Sequence, residues 1–285
     1  MVEVIHIDAF SNTPGKGNPA GVVLEAERLD EQMMQDIAKR VGFNETAFVL
    51  SSAVADFRIR YFTPGHETPL CGHATMGSIY ALYRANKLPA HDFTIETGAG
   101  ILPIHIEEGD EVRITMQHAK PQFAPFIGSK IALAEALGLS EQELAADLPI
   151  VYGSTGAWTL LVPVKKLASF AKMTPQIECF PAILTDRPTC SVHPFCLETQ
   201  FDEAAMHARH FSSPYSGTTE DVATGTASGV MGAYYKEFID HKKALPYTLV
   251  VEQGMEIDKD GRIYVHVDKT ISISGTAVFV NSFEV

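Results

Sequence analysis

A carboxylate, an imidazole and a second carboxylate in this chain are of the types that proton transfer uses. Glu45 lies in GFNETAFV beside a predicted strand, flanked by Phe43, Ala47 and Phe48. A carboxylate against apolar walls has its charged form disfavoured, which raises its pKa toward that of a general acid or base. A surface glutamate at a strand start is the plainer reading, and the local sequence alone favours it. His73, in LCGHAT, can donate to a substrate oxygen, shuttle a proton or cap the helix it opens. Asp221, in EDVATGT, precedes another helix and can cap it, accept a proton or hold a substrate ammonium.

The elements that position these groups come in matching pairs. Residues 73–84 and 226–239 are apolar or small almost all the way round, the pattern of a helix buried on every side. Their approaches can be laid on one another without a gap, so that Glu67, Gly72, Ala74 and Thr75 meet Glu220, Gly225, Ala227 and Ser228. Upstream, Arg60-Tyr61-Phe62-Thr63 matches Arg209-His210-Phe211-Ser212. Downstream, Ile95-Glu96-Thr97-Gly98 matches Val251-Glu252-Gln253-Gly254. Three matches in one order argue for a duplicated fold. Two copies related by a pseudo-twofold would bring Gly72-His73 and Gly225-Thr226 to one cleft. The unsatisfied N–H groups of two helix starts could there hold a small anion, although the glycines could equally serve close packing. The duplication also sets Thr224 opposite Cys71. Threonine is far too weak an acid to be the second base of a two-thiol racemase, so Cys71 reads as a small buried residue.

Around these helices the chain is strand-rich. Residues 2–8, 45–51, 54–62, 101–107, 111–117 and 262–267 are β-branched or aromatic, several with period two. Residues 30–41 form an amphipathic surface helix with a Met33, Met34, Ile37, Ala38 and Val41 stripe. A short helix over 129–137 starts at Ser129 and stops at Gly138, and Ser140 to Glu143 is a capping box for another. The expected fold is α+β: two pseudo-symmetric lobes, each a barrel-like, mostly antiparallel sheet around a central buried helix. The lobes are residues 1–118 with 275–285, and residues 119–274, with the active site in the cleft between them.

Composition excludes several classes. The 285 residues carry 22 Lys+Arg against 35 Asp+Glu, a net charge of −13, with no basic block to serve a nucleic acid or an anionic membrane. No apolar stretch reaches the ~18–20 residues of a membrane helix, and the first residues, MVEVIHIDAF, lack the bases of a signal peptide. Cys71, Cys179, Cys190 and Cys196 form no CxxC pair, which suits a reducing, cytoplasmic setting. Cys190-x2-His193-x2-Cys196 in an extended segment turns His193 away from both cysteines, and His207 with His210 is only a pair, so no metal is expected. GKGN at 15–18 lacks the spacing of a nucleotide loop.

GNPAGVV (17–23), NETAFV (44–49), RYFTPGHETPLCGHAT (60–75), STG (154–156) and EDVATGTASG (220–229) resemble, in order, the motifs of the phenazine-biosynthesis PhzF-like isomerase family. The resemblance implies the fold of diaminopimelate epimerase. It implies that Glu45, His73 and Asp221 are catalytic, while the paired helix starts put Gly72, Gly225 and Thr226 at the substrate; neither a cofactor nor a metal is expected. It also implies a small carboxylate-bearing metabolite as substrate and a homodimer. Thr226 stands where the family commonly has serine and Val222 where it has proline, so substrate identity is the open question. The alternatives are an amino-acid epimerase or racemase using Glu45 with Asp221 or His73, and a non-catalytic binding module on the same fold.

Overall fold

A computed structural model covers residues 1–285. The chain divides into two compact units, Met1–His118 with Lys259–Gly261 and Ser272–Val285, and Ala119–Asp258 with Arg262–Ile271. No helix is long and apolar enough to cross a membrane.

The N-terminal unit begins with β1 (Glu3–Ala9), β2 (Asn18–Val23), α1 (Glu31–Val41), β3 (Glu45–Leu50) and β4 (Phe57–Phe62). The two-residue β5 (Glu67–Thr68) leads into α2 (Gly72–Arg84), followed by β6 (Asp92–Thr97), β7 (Gly100–Glu107) and β8 (Arg113–Gln117). Most neighbours are antiparallel, while β2 with β3 and β4 with β6 run parallel.

The C-terminal unit holds β9 (Gln122–Pro125), α3 (Lys130–Ala136), β10 (Val151–Ser154), β11 (Trp158–Pro163), α4 (Phe180–Ile183) and β12 (Ser191–Cys196). Then come β13 (Met206–Ala208), β14 (His210–Phe211), β15 (Glu220–Asp221), α5 (Gly225–Tyr234), β16 (Tyr247–Gln253) and β17 (Gly261–Val267). The chain then returns to the N-terminal unit. β18 (Ile271–Gly275) pairs with β8 and β19 (Ala277–Glu284) pairs with β1, so one nearly continuous run joins both sheet edges and closes the barrel.

Each unit encloses one helix. Gly72 to Ile79, Ala81 and Leu82 of α2 are buried, and the helix packs on β1, β2, β3, β8 and β19. Small residues permit this: a Cβ on Gly77 would stand 3.2 Å from the Ala20 Cβ. The Thr75 hydroxyl is bonded internally, accepting from Tyr61 Oη (2.7 Å) and donating to the Cys71 carbonyl (2.6 Å). In the other unit α5 packs on β10 and β11, and a Cβ on Gly232 would meet Val265 Cγ1 at 2.5 Å. Outside the first barrel, α1 lays Met34, Ile37 and Ala38 on Val4, Val23, Phe48 and Phe62. Asp30 caps its start by accepting from the Met33 amide, and Gly42 takes the left-handed conformation at its end.

Three details differ from the sequence reading. Met33 is 46% exposed, because Met34, Ile37 and Ala38 complete the buried stripe and leave Met33 at its edge. The α-helix expected over 226–239 ends at Tyr234 and widens into a π turn (Tyr235–Ile239), where Phe238 meets the Phe123 and Tyr234 rings. Ser140 to Glu143 makes a single 3-10 turn whose Glu143 carboxylate accepts from the Ser140 amide and hydroxyl.

The units repeat one another in detail. Phe62 pairs with Glu67 as Phe211 pairs with Glu220, and each glutamate takes a two-pronged bond from the matching arginine, Arg60 or Arg209. The parallel pair Arg58 and Glu96 has its counterpart in His207 and Glu252. There the structure is more elaborate. His207 lies buried between Glu252 (Nδ1 to Oε1, 2.7 Å) and Glu256 (Nε2 to Oε1, 2.9 Å), and Glu252 also accepts from the Gln200 and Phe201 amides. Burial opposes the imidazolium, but bonds to the two carboxylates outweigh it and raise the His207 pKa.

Two outcomes follow for stability. Gly232→Ala forces a methyl group into Val265 and is expected to cost ~1–3 kcal/mol in a denaturant titration. Because the folded His207 pKa lies above its unfolded value of ~6.5, the clamp's contribution is complete below that pH and is lost as pH rises through the folded pKa. The melting-temperature gap between wild type and His207→Gln is therefore expected to be widest in mild acid, worth ~1–3 kcal/mol, and to narrow as pH rises.

Candidate active site

In the N-terminal unit, Glu45 is the first residue of β3, where it pairs with Ala20 of β2. His73 is the second residue of α2, and β3 is one of the strands against which that helix packs. Cys71 is the N-cap; its Sγ accepts from the Ala74 amide at 3.5 Å. In an α-helix the first N–H groups have no intrahelical acceptor, so the Gly72 and His73 amides open this helix as spare donors.

The three side chains meet. His73 Nε2 lies 3.1 Å from Glu45 Oε2, at ion-pair distance, with the ring 4% and the carboxylate 20% exposed. Its alignment falls short of a hydrogen bond, so the buried Oε2 has no hydrogen-bond donor. Cys71 Sγ lies 3.4 Å from His73 Nδ1 and 3.8 Å from Nε2. Burial, reinforced by the Glu45 charge, pushes the Cys71 thiol up to about 11, so it is a neutral thiol at neutral pH. Burial acts to lower the His73 pKa, but the neighbouring Cys71 and Glu45 outweigh it and hold the imidazole well above its ordinary value. With the thiol neutral, the Glu45 carboxylate is the negative charge that remains beside the imidazole. The arrangement is a carboxylate ready to take a proton beside a cation ready to stabilise negative charge.

The C-terminal unit places Asp221, Gly225 and Thr226 at the start of α5. Asp221 Oδ2 accepts from Thr224 Oγ1 (2.6 Å). Gln253 Nε2 donates to the Asp221 carbonyl (2.7 Å) and to Thr224 Oγ1 (3.1 Å), while its Oε1 accepts from the Thr224 amide. The Thr226 carbonyl accepts from Thr155 Oγ1 of the STG segment at 3.0 Å. Thr224, set opposite Cys71 by the duplication, thus orients the Asp221 carboxylate.

Sequence reasoning missed two features. Gln253 was matched to Thr97 with no chemistry attached, and only the fold shows it binding both Asp221 and Thr224. The cluster of Glu45, Cys71 and His73 carries no spacing signal, because β3 supplies one member and the start of α2 the others; their ligating atoms all lie within 4.8 Å of one another. His193, which the sequence turned away from its flanking cysteines, is buried and meets His210 Nδ1 (3.0 Å) and Met231 Sδ (2.9 Å).

Residues 7–282 match the PhzC-PhzF family model, described as phenazine biosynthesis-like protein. The uncharacterized isomerase YfhB of Bacillus subtilis (strain 168) is 49% identical over 284 residues, 97% of this chain and 96% of its own length. The trans-2,3-dihydro-3-hydroxyanthranilate isomerase of Pseudomonas aeruginosa is 30% identical over 94% of this chain and 91% of its own. The crystal structure of a Bacillus anthracis phenazine biosynthesis protein of the PhzF family is 54% identical, with a TM-score of 0.96 over 100% of this chain and 98% of that one. A probable proline racemase from Agrobacterium radiobacter K84, 10% identical, shares the fold with a TM-score of 0.68 over 100% of this chain and 93% of its own.

The Thr224 hydroxyl both donates to Asp221 and accepts from Gln253. Thr224→Val is expected to cost ~1–3 kcal/mol, since it removes one bond to Asp221 and one from the buried Gln253 amide, whereas Thr224→Ser should stay near wild type in the same urea titration.

Proposed function

Because the chain belongs to the phenazine biosynthesis-like PhzC-PhzF family, with relatives named isomerases, we propose that it is a cofactor-independent isomerase. It moves a proton on a small carboxylate-bearing substrate, and Glu45 is the carrier. The observation that carries this reading is the buried Glu45 Oε2, without a hydrogen-bond donor and 3.1 Å from the His73 imidazole.

In the proposed reaction the Glu45 carboxylate takes a proton from one substrate carbon. The electron pair left behind moves into the conjugated system of the substrate, where the His73 imidazolium stabilises the negative charge that develops. Glu45 then returns the proton to a different carbon, shifting the double bond. The substrate carboxylate is held by the Gly72 and His73 amides, which the helix start makes favourable for an anion. Asp221, Gly225 and Thr226 are assigned to substrate binding and proton transfer by the resemblance, with Asp221 oriented by Thr224. Neither step calls for a metal, since base and electrophile are both side chains.

An epimerase would need a second base in place of the return by Glu45. Cys71 as a neutral thiol and Thr224 as its counterpart do not supply the pair of a two-thiol racemase, so an epimerase here would have to use Asp221 or His73 as its second base.

The test starts from a thermal-shift screen of small carboxylate metabolites, in which a ligand raises the melting point by mass action. Turnover of each hit is then followed in deuterated water. A change in the ultraviolet spectrum with the centre uninverted supports isomerisation, while inversion with α-hydrogen exchange supports the epimerase. Glu45→Gln is expected to bind the hit almost normally and to lose ~10²–10⁴-fold in rate. Wild-type rates in that variant would remove Glu45 from the mechanism, and binding without turnover of any hit by the wild type would make the chain a binding module.

A further inference from the structure

We propose that Gln253 is a positioning residue for Asp221: it turns the Thr224 hydroxyl onto that carboxylate and so fixes it at the start of α5. The bearing on catalysis rests on the proton-transfer reading above; the contacts themselves do not. Gln253 ends β16 and is fully buried, with its side-chain amide against Asp221 and Thr224.

Two backbone groups set the orientation of that amide. The Thr224 N–H can only donate, and it gives its hydrogen to Gln253 Oε1 at 3.1 Å. The Asp221 carbonyl can only accept, and it takes a hydrogen from Gln253 Nε2 at 2.7 Å. A flipped amide would set oxygen against oxygen and N–H against N–H. With Nε2 so placed, its other hydrogen goes to Thr224 Oγ1 at 3.1 Å, and the hydroxyl is the acceptor there. The one hydroxyl hydrogen then points to Asp221 Oδ2, 2.6 Å away. That length is typical of a hydroxyl donating to an ionised carboxylate. Gln253 thus dictates the direction of a hydrogen bond that it does not itself make.

Two further observations separate this arm from ordinary packing. Both units start a central helix in the same way, yet the duplication sets Thr97 where the C-terminal unit has Gln253. Thr97 Oγ1 closes on its own turn, donating to the Gly100 carbonyl and accepting from the Ala99 amide. The fold therefore builds such a helix start without a reaching amide. The arm is also held from behind, because neighbouring residues of a strand face opposite ways. Glu252, next to Gln253, is fully buried and accepts from His207 and from the Gln200 and Phe201 amides, which pins β16 in place. His210, across the ladder from Asp221, adds no charge at neutral pH, since burial lowers its pKa to about 4.

The test has two parts, and the first needs no substrate. In a nitrogen-15 spectrum of the full chain, the Gln253 side-chain amide protons, assigned with Gln253→Glu, should exchange with deuterium far more slowly than those of surface glutamines. Exchange at the surface rate overturns the proposal. The second part compares kcat/KM per folded molecule, well below every melting point, on the small carboxylate found in the screen above. Gln253→Glu offers the Thr224 hydroxyl a rival acceptor, and Thr224→Val removes the hydroxyl; each is expected to lose ~10–100-fold. Thr224→Ser keeps the hydroxyl and should recover the rate. Should Gln253→Glu fail to fold, Gln253→Met, similar in size and without a donor, takes its place with the same expected loss. Unchanged rates in the Gln253 variant make it a structural anchor and overturn the proposal, as does a loss that Thr224→Val and Thr224→Ser share. Wild-type rates in Glu45→Gln would remove the proposed carrier and leave this comparison standing. Where the carboxylate binds without turnover, its Kd is compared across the same variants.

Discussion

A helix enclosed by a sheet on every side cannot discharge its polar groups into water, and that constraint shapes the N-terminal unit. Small residues must face the strands, as Gly77 does against Ala20, and each hydroxyl must find a partner inside. Thr75 and Ser78 donate back to carbonyls one turn earlier, and Tyr61 reaches in from β4 to complete the Thr75 hydroxyl. The start of the helix is harder to satisfy, because its first amides have no intrahelical acceptors. Cys71 answers one of them, and a negative group is favoured near the rest. β3 begins at that place, and its first residue is a glutamate.

The electrostatics follow from this placement. An imidazole as deeply buried as His73 would ordinarily be neutral, but Cys71 and the Glu45 carboxylate beside it reverse the direction. A buried ion pair of this kind adds little to stability once desolvation is counted. What the pair does is set a carboxylate beside an imidazole in one buried place. In the C-terminal unit neutral groups surround the carboxylate instead, with Asp221 bonded by Thr224 and both tied to Gln253.

What the sequence revealed depended on how far apart the partners lie along the chain. The matched approaches to α2 and α5 were legible because the duplication kept glutamate, glycine and alanine in step. The same register then appears in the pairings of Phe62 with Glu67 and Phe211 with Glu220. Strand β11 is not singled out by the sequence: WTLLVP is buried almost throughout, so it lacks alternation, and it ends in a proline. The meeting of Glu45 with Cys71 and His73 is a product of packing between β3 and α2, and no local pattern encodes it. Met33 fell outside the buried stripe for a related reason: an amphipathic helix defines a face well and its edges poorly.

The central claim is that Glu45 holds His73 as a buried cation. Its most direct measurement is an NMR titration of the His73 ring, assigned with a His73 variant, in wild type and in Glu45→Gln. The account requires a wild-type imidazole that titrates well above the ordinary histidine value of ~6.5 and falls when the carboxylate becomes an amide. A His73 that titrates at or below that value in the wild type, or one indifferent to the loss of the Glu45 charge, would contradict it.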